Sequence, residues 1–326
     1  MRSAVILGTG SALPDRVLTN QDLEKIVDTS DEWIVTRTGI RERHIAAEGD
    51  RLSTYATRAS MAALEMAGVP ASDLDMIICA TVTPDMPIPA TACIIQHALG
   101  ASRCPAFDMQ AGCSGFIYAL TVAKQFIING RYRKVLVIGA ELLSKYVDWK
   151  DRGTCVIFAD GAGAVLVGDG DPPRGILATS IHTDGSMADF IMLPGGGTAF
   201  PPSAATVRDG LHFIRMKGNE TFKIAVRALE EVSQEVLKAA GLGPGEIDHF
   251  VPHQANIRII DGAAQRLGMD PSKVYVNVDR VGNTSAASIP IALDELVRAG
   301  RVQAGQILLF AAFGAGLTWG ASVVRW

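Results

Sequence analysis

The sequence predicts an α/β fold of two pseudo-twofold-related halves. Three observations carry that expectation: a plan of motifs that occurs twice, helix-period segments alternating with strand-like runs, and a composition rich in glycine and apolar residues. The repeat is legible by eye. Ala67-Gly68, then Asp73-Leu74-Asp75 and the run Met76-Ile77-Ile78-Cys79-Ala80, matches Ala240-Gly241, then Glu246-Ile247-Asp248 and His249-Phe250-Val251, with offsets 241 − 68 = 173 and 248 − 75 = 173. Leu99-Gly100 matches Leu267-Gly268 at 168, Ala111-Gly112-Cys113 matches Val281-Gly282-Asn283 at 170, and Asn129-Gly130 matches Ala299-Gly300 at 170. Such self-similarity marks a duplicated unit. At roughly 100–200 residues per domain, 326 residues make about two units. The turn residues Asp169-Gly170-Asp171-Pro172-Pro173 put the halves at 1–170 and 171–326.

The elements follow in chain order. Ser3 to Leu7 is a short apolar run that reads as a first strand. Tyr55 to Met66 has helical period, Met76 to Ala80 is strand-like, Pro105-Ala106-Phe107 is strand-like, and Ile117 to Asn129 is an amphipathic helix. Lys134 to Gly139 reads as strand, Asn219 to Ala240 as helix, and Gln306 to Ala312 as strand. Such alternation predicts βα crossovers and mostly parallel sheet. The apolar tract Ile307 to Val324 reaches membrane length, but Gly314, Gly316, Thr318, Gly320 and Ser322 favour strand–turn–strand. With no long apolar leader at the N-terminus, the expectation is a soluble cytoplasmic protein with no membrane partner.

Composition narrows the function. Apolar residues make up 48% of the chain, enough for large cores, so global disorder is excluded. The charge balance of 30 − 34 = −4 provides no overall basic field, which argues against nucleic acid as a partner. Gly8-Thr9-Gly10 resembles the start of a dinucleotide fingerprint, but Leu13 stands at the third glycine slot. Asp160-Gly161-Ala162-Gly163 also lacks the full pattern and reads as a turn between strands. Cys93 and His97 share a helical spacing without a second ligand pair, and no carboxylates cluster, so no metal is expected.

Five cysteines, an odd number with no C-x-x-C pair, imply reduced thiols. Cys79, Cys93, Cys104 and Cys155 have mostly apolar neighbours and read as small hydrophobes. Cys113 differs. It lies between the strand-like Pro105–Phe107 and the Ile117–Asn129 helix, flanked by Gly112 and Gly115. A thiol at a helix N-terminus is expected to be depressed toward the nucleophilic thiolate. His253 follows the second half's strand, where open α/β sheets place ligands. Asn283 is the repeat mate of Cys113, and either a simple helix N-cap or a cleft donor fits it. Together the three supply a nucleophile and two polar groups around one cleft. Residue types alone leave a thiol hydrolase, an acyltransferase or an idle binding scaffold open.

With these residues in place, the chain resembles β-ketoacyl-(acyl carrier protein) synthase III of the thiolase superfamily along essentially its whole length. The matching stretches include Ser30-Asp31-Glu32-Trp33-Ile34 with Arg37-Thr38-Gly39-Ile40, Gln110 to Phe116, Asp151-Arg152-Gly153-Thr154, Pro252-His253-Gln254-Ala255-Asn256, Gly282-Asn283-Thr284-Ser285 and Phe313 to Gly320. The resemblance implies a five-layered αβαβα thiolase-like fold and a homodimer. It implies that Cys113 takes an acyl group from acyl-CoA, and that His253 and Asn283 then stabilise the enolate formed as malonyl-acyl carrier protein loses carbon dioxide. The backbone N–H of Cys113 and one near Ala315 would hold the acyl oxygen. Asn283, where chain-elongating relatives typically carry a second histidine, implies a CoA-primed initiator of fatty-acid synthesis. By the same resemblance Trp33, Arg37, Arg152 and Asn256 contact CoA, a substrate rather than a resident cofactor. Gln254, Ala255, Asn256, Ile257 and Arg258 contact the carrier protein, with Lys223 and Arg266 adding local positive charge. Ile88 lies where a phenylalanine often closes the acyl pocket across the dimer interface, and the 192–202 loop is a candidate wall of the acyl tunnel. A specialised-pathway condensing enzyme is the alternative.

Overall fold

A computed structural model of the chain describes residues 2–326. The first half runs β1 (Ser3–Ala12), β2 (Val17–Thr19), α1 (Asn20–Leu23), α2 (Asp31–Thr38), β3 (Glu42–His44), α3 (Leu52–Ala67), β4 (Met76–Ala80), α4 (Thr91–Leu99), β5 (Ala106–Met109), α5 (Gly115–Ile128), β6 (Lys134–Leu142) and β7 (Asp160–Gly170). The second runs β8 (Gly175–Thr183), β9 (Ile191–Met192), α6 (Ala204–Arg208), β10 (Arg215–Met216), α7 (Gly218–Ala240), β11 (His249–Pro252), α8 (Ile257–Arg266), α9 (Val278–Val281), α10 (Ser288–Arg298), β12 (Ile307–Gly314) and β13 (Thr318–Arg325).

Two sheets carry the fold, ordered β1-β7-β6-β4-β5 and β8-β13-β12-β11. The orders correspond strand for strand, except that β5 has no counterpart in the second sheet. Three cores separate five layers. Apolar faces of α3 and α4 cover the outside of the first sheet, and α7 and α8 cover the outside of the second. Helices α5 and α10 lie between the sheets, where Phe116, Leu120, Ile289 and Leu293 meet Ile78, Val137, Val251 and Phe310. Strand β4 is buried at every residue because helices cover both of its faces.

Sequence explains the close contacts. Ala56, Ala59 and Ala63 form one small, buried face of α3. That face rests on β1 at Gly8 and Gly10, where an added Cβ would strike the carbonyls of Ala63 and Ala59. The Gly8-Thr9-Gly10 string is therefore a packing seam. Two expectations are corrected. Four of the seven strand pairings in the large sheets are antiparallel, not mostly parallel. The clearest reason is the β12–β13 connection, which is a tight turn and cannot cross over. Asp160-Gly161-Ala162-Gly163 is the start of β7 rather than a turn, because β6 pairs it on one side and β1 joins from Ala162 on the other.

Candidate active site

Strand β5 delivers the chain to a single 3-10 turn, Gly112–Ser114, which leads directly into α5. Cys113 sits in that turn. Gly112 has φ +52, in the left-handed region, and a Cβ there would lie 2.7 Å from Ala315 N. The β12–β13 turn is bolted to this loop: Thr318 Oγ1 donates to the carbonyls of Ala111 (2.8 Å) and Ala315 (3.0 Å), and Ser114 Oγ donates to Thr318 O (3.0 Å). Burial pushes the Cys113 thiol up to about 11, against a smaller lowering by a hydrogen bond with Ser285. The expected depression by the helix terminus is thus not met in the free protein, because desolvation of the thiolate prevails.

His253 follows β11 and is fixed twice. Its backbone N–H donates to Ala311 O (2.8 Å), and its Nδ1 lies 2.6 Å from Ser288 Oγ. Gln254 N donates to the same hydroxyl oxygen (3.3 Å); with the Ser288 proton directed at Nδ1, the ring carries its hydrogen on Nε2. Burial lowers the His253 pKa to about 3, so the imidazole is neutral at physiological pH. Asn283 lies five residues ahead of α10, bridged to Phe158 through backbone bonds with Ile157 and Ala159. Its Oδ1 accepts from Ser285 N (2.8 Å). Asn283 is therefore not the N-cap of α10, which begins after Ala287; its oxygen closes a local turn onto Ser285 N.

Cys113, His253 and Asn283 all line one cavity of about 350 Å³. Trp33 stands in its wall with the guanidinium of Arg37 4.5 Å and that of Arg152 4.9 Å from its ring centroid. Two cations on one indole make a site for a stacked ring bearing phosphates. Arg152 is steadied by Asp28 O (3.0 Å). Asn256, in the same wall, caps α8 by accepting from Ile259 N (3.0 Å). Arg258 is exposed, over Phe222, and Lys223 is exposed on α7. Arg266 is paired with Glu230 (2.8 Å).

One predicted carrier-protein contact is corrected. Gln254 is 1% exposed. It donates to Pro252 O and Tyr275 O and accepts from the backbone of Asn277 and Val278, so it braces the loop beneath the cleft and cannot reach a docking protein. Ile257 is half-buried, with part of its side chain packed on the cluster around Ile34 and Ile260. Ala255 and Asn256 remain half-buried at the cleft.

Cys113 also lines a second cavity, of about 240 Å³, walled by Val82, Leu143, Tyr146, Leu193, Ile214 and Ala315. The 192–202 loop thus contributes through its first residues, which β9 and β10 hold in place. The thiol stands between a polar, cation-rimmed cleft and an apolar pocket. Sequence reasoning missed the residues that hold this arrangement: Ser288 behind His253, and Ser285 and Glu141 behind Cys113 and Asn283. Glu141 was findable as the one carboxylate in the otherwise apolar run Val135 to Leu143. Ile88 is 86% exposed. Cys93 is exposed on α4, unlike the buried Cys79, Cys104 and Cys155.

Comparison with known proteins agrees with this architecture. The family described as 3-oxoacyl-[acyl-carrier-protein (ACP)] synthase III matches residues 107–185, and the C-terminal model of that synthase matches 237–326. A curated β-ketoacyl-[acyl-carrier-protein] synthase III of Caldanaerobacter subterraneus is 56% identical over 324 residues, covering 99% of this chain and 98% of the relative. One from Symbiobacterium thermophilum is 54% identical, with 100% and 99% covered. The crystal structure of 3-oxoacyl-[acyl-carrier-protein] synthase III from Aquifex aeolicus superposes with a TM-score of 0.93 at 50% identity, covering 99% of this chain and all of that one. Full-length identity at this level, on a matching five-layered fold, shows that the chain belongs to the β-ketoacyl-[acyl-carrier-protein] synthase III family of condensing enzymes.

Proposed function

We propose that this chain starts fatty-acid synthesis by condensing an acyl-CoA primer with malonyl-acyl carrier protein, using Cys113 as nucleophile and His253 and Asn283 as donors. The observation that carries the reading is the position of Cys113 at the junction of two cavities, one fit for a CoA arm and one for an acyl chain. CoA enters past Trp33, Arg37, Arg152 and Asn256. Its acyl group passes to Cys113, with the acyl oxygen facing the N–H groups of Cys113 and Ala315. The primer tail occupies the apolar pocket. Malonyl-carrier protein then enters, its carrier docking on the exposed Arg258 and Lys223, while Ala255 and Asn256 meet the arm.

Loss of carbon dioxide leaves an enolate whose oxygen takes hydrogen bonds from His253 Nε2 and Asn283 Nδ2. A neutral imidazole with its hydrogen on Nε2 can donate in this way, and the buried His253 supplies one. The enolate carbon attacks the thioester, and the 3-oxoacyl product leaves on the carrier. No electrons change hands overall and the bonds balance without a redox group or metal. The chain acts in the cytoplasm as a homodimer; unpaired edge strand β5 and the exposed Met86 and Ile88 support that assembly. Intact mass after incubation with acetyl-CoA is expected to show one acetyl group on Cys113, and later addition of malonyl-carrier protein to release carbon dioxide. An unmodified Cys113 would favour a binding scaffold, and free acid without carbon dioxide a hydrolase.

A further inference from the structure

Acylation requires Cys113 to lose a proton, yet His253 is arranged as a donor and burial holds the thiol near 11. An acceptor lies on the opposite side of the sulfur. Glu141, at the inner end of β6, is fully buried. Its Oε2 receives hydrogen bonds from Thr83 Oγ1 (2.6 Å) and Thr81 Oγ1 (3.2 Å), and Val82 N donates at 3.1 and 3.2 Å to its two oxygens. The two threonine hydroxyls are oriented as donors, because Leu142 N donates to Thr83 Oγ1 (2.9 Å) and Thr83 N to Thr81 Oγ1 (3.0 Å). The other oxygen, Oε1, accepts from Ser285 Oγ (3.4 Å).

Ser285 is held at φ +50, a conformation unusual for a residue with a side chain. That conformation places its N–H on Asn283 Oδ1 and its hydroxyl on Glu141 Oε1, and Ser285 and Cys113 line the same apolar pocket. With Cys113 as a thiol the Ser285 hydroxyl donates to the carboxylate, and toward a Cys113 thiolate the same hydroxyl is the donor that lowers the thiol pKa.

We propose that Glu141, acting through Ser285, is the positioning residue that holds the proton Cys113 gives up on acylation. The proposal rests on the acyl-transfer reading above. As sulfur attacks the primer thioester, the thiol proton moves to Ser285 Oγ and the Ser285 proton to Glu141 Oε1. The C–S bond to CoA breaks, and the departing CoA thiolate takes a proton from solvent through the open cleft. When the enolate later displaces Cys113, the thiolate recovers the stored proton along the same path. The full cycle consumes one solvent proton and forms one carbon dioxide and one CoA thiol.

Burial raises the Glu141 pKa to about 8, opposed by its hydrogen bonds from Thr83, Val82, Thr81 and Ser285, so it is a usable base near physiological pH. The titratable groups that feel its charge are Cys113 on the nucleophile turn, Cys79 on β4 and Tyr146 after β6, all weak acids pushed upward and neutral there.

The test compares wild type, Glu141→Gln and Ser285→Ala in two separate half-reactions. Rapid-quench intact mass follows acetylation by acetyl-CoA from about pH 6 to about pH 10, and carbon dioxide release follows malonyl-carrier protein added to enzyme acylated to completion beforehand. Both variants are expected to acylate about a hundredfold more slowly and to lose the wild-type rise in rate near pH 8, while decarboxylation stays within about twofold. Ser285→Ala keeps the backbone bond to Asn283 and the bonds of Glu141 to Thr81, Val82 and Thr83, and circular dichroism checks its fold. Acylation at the wild-type rate in Ser285→Ala, or equal loss of both half-reactions, overturns the proposal. Wild-type enzyme that forms no acyl adduct overturns the condensing reading instead.

Discussion

A buried imidazole and a carboxamide do different work from a buried thiol, and their surroundings separate the roles. His253 is kept neutral by desolvation and aimed by Ser288; Asn283 is aimed by Ser285 N. On the proposed reading each is a donor to the enolate oxygen, and a preorganised donor of that kind is worth about 3 kcal/mol. His253→Ala and Asn283→Ala are therefore expected to acetylate normally while carbon dioxide release from malonyl-carrier protein falls on the order of a hundredfold or more. Equal loss of both steps would contradict the assignment. The pH dependence has a definite sign. The unfolded imidazole protonates near its ordinary 6.5 and the folded one only at about 3. Below pH 6.5 the unfolded state therefore takes up the proton first, and the stability contributed by neutral His253 erodes as pH falls toward 3. Above 6.5 it is fully present, and His253→Ala should flatten that slope in thermal melts.

Elements matter through where they end. Helix α2 begins on Ser30, whose side chain accepts from Trp33 N, and ends at Gly39 in the left-handed conformation, so the face with Trp33 and Arg37 is set at the cleft. Arg152 reaches the same indole from the loop after β6. Replacing Trp33 with Ala removes the stacking surface and the partner of both guanidinium groups. We expect the KM for acetyl-CoA to rise roughly tenfold, given about 1–3 kcal/mol for base stacking on an aromatic ring. Turnover at saturation, and the rate with a short acyl-pantetheine donor, should be unchanged. A parallel fall with both donors would mean that Trp33 supports the fold of the cleft instead. The β12–β13 turn makes the complementary point. Its glycines were legible in sequence, but the clamp of Thr318 on Ala111 was not, because the two residues are 207 positions apart.

At the scale of the whole molecule, the β5 edge of the first sheet is open to a partner. β5 ends the first sheet, with Ile88 86% exposed on the loop before α4. Sedimentation at micromolar concentration is expected to give twice the chain mass, and Ile88→Trp in that dimer to discriminate against long or branched primers. Sedimentation as a monomer with unchanged primer preference would place the pocket's closure within one chain. Much of the fold was legible beforehand. Periodicity located β4, α3, α5, α7 and β12 to within a few residues, since each buries a face that local pattern must respect. The repeat announced two halves, and Cys113, His253 and Asn283 stood out by their places at strand ends and helix starts. Strand direction, the raised thiol and the supports Glu141, Ser285 and Ser288 were decided only in three dimensions. The physical reason is that alternation of apolar residues is a local property of the chain. Desolvation and hydrogen-bond direction at the site depend on groups more than a hundred residues apart, which only packing brings together.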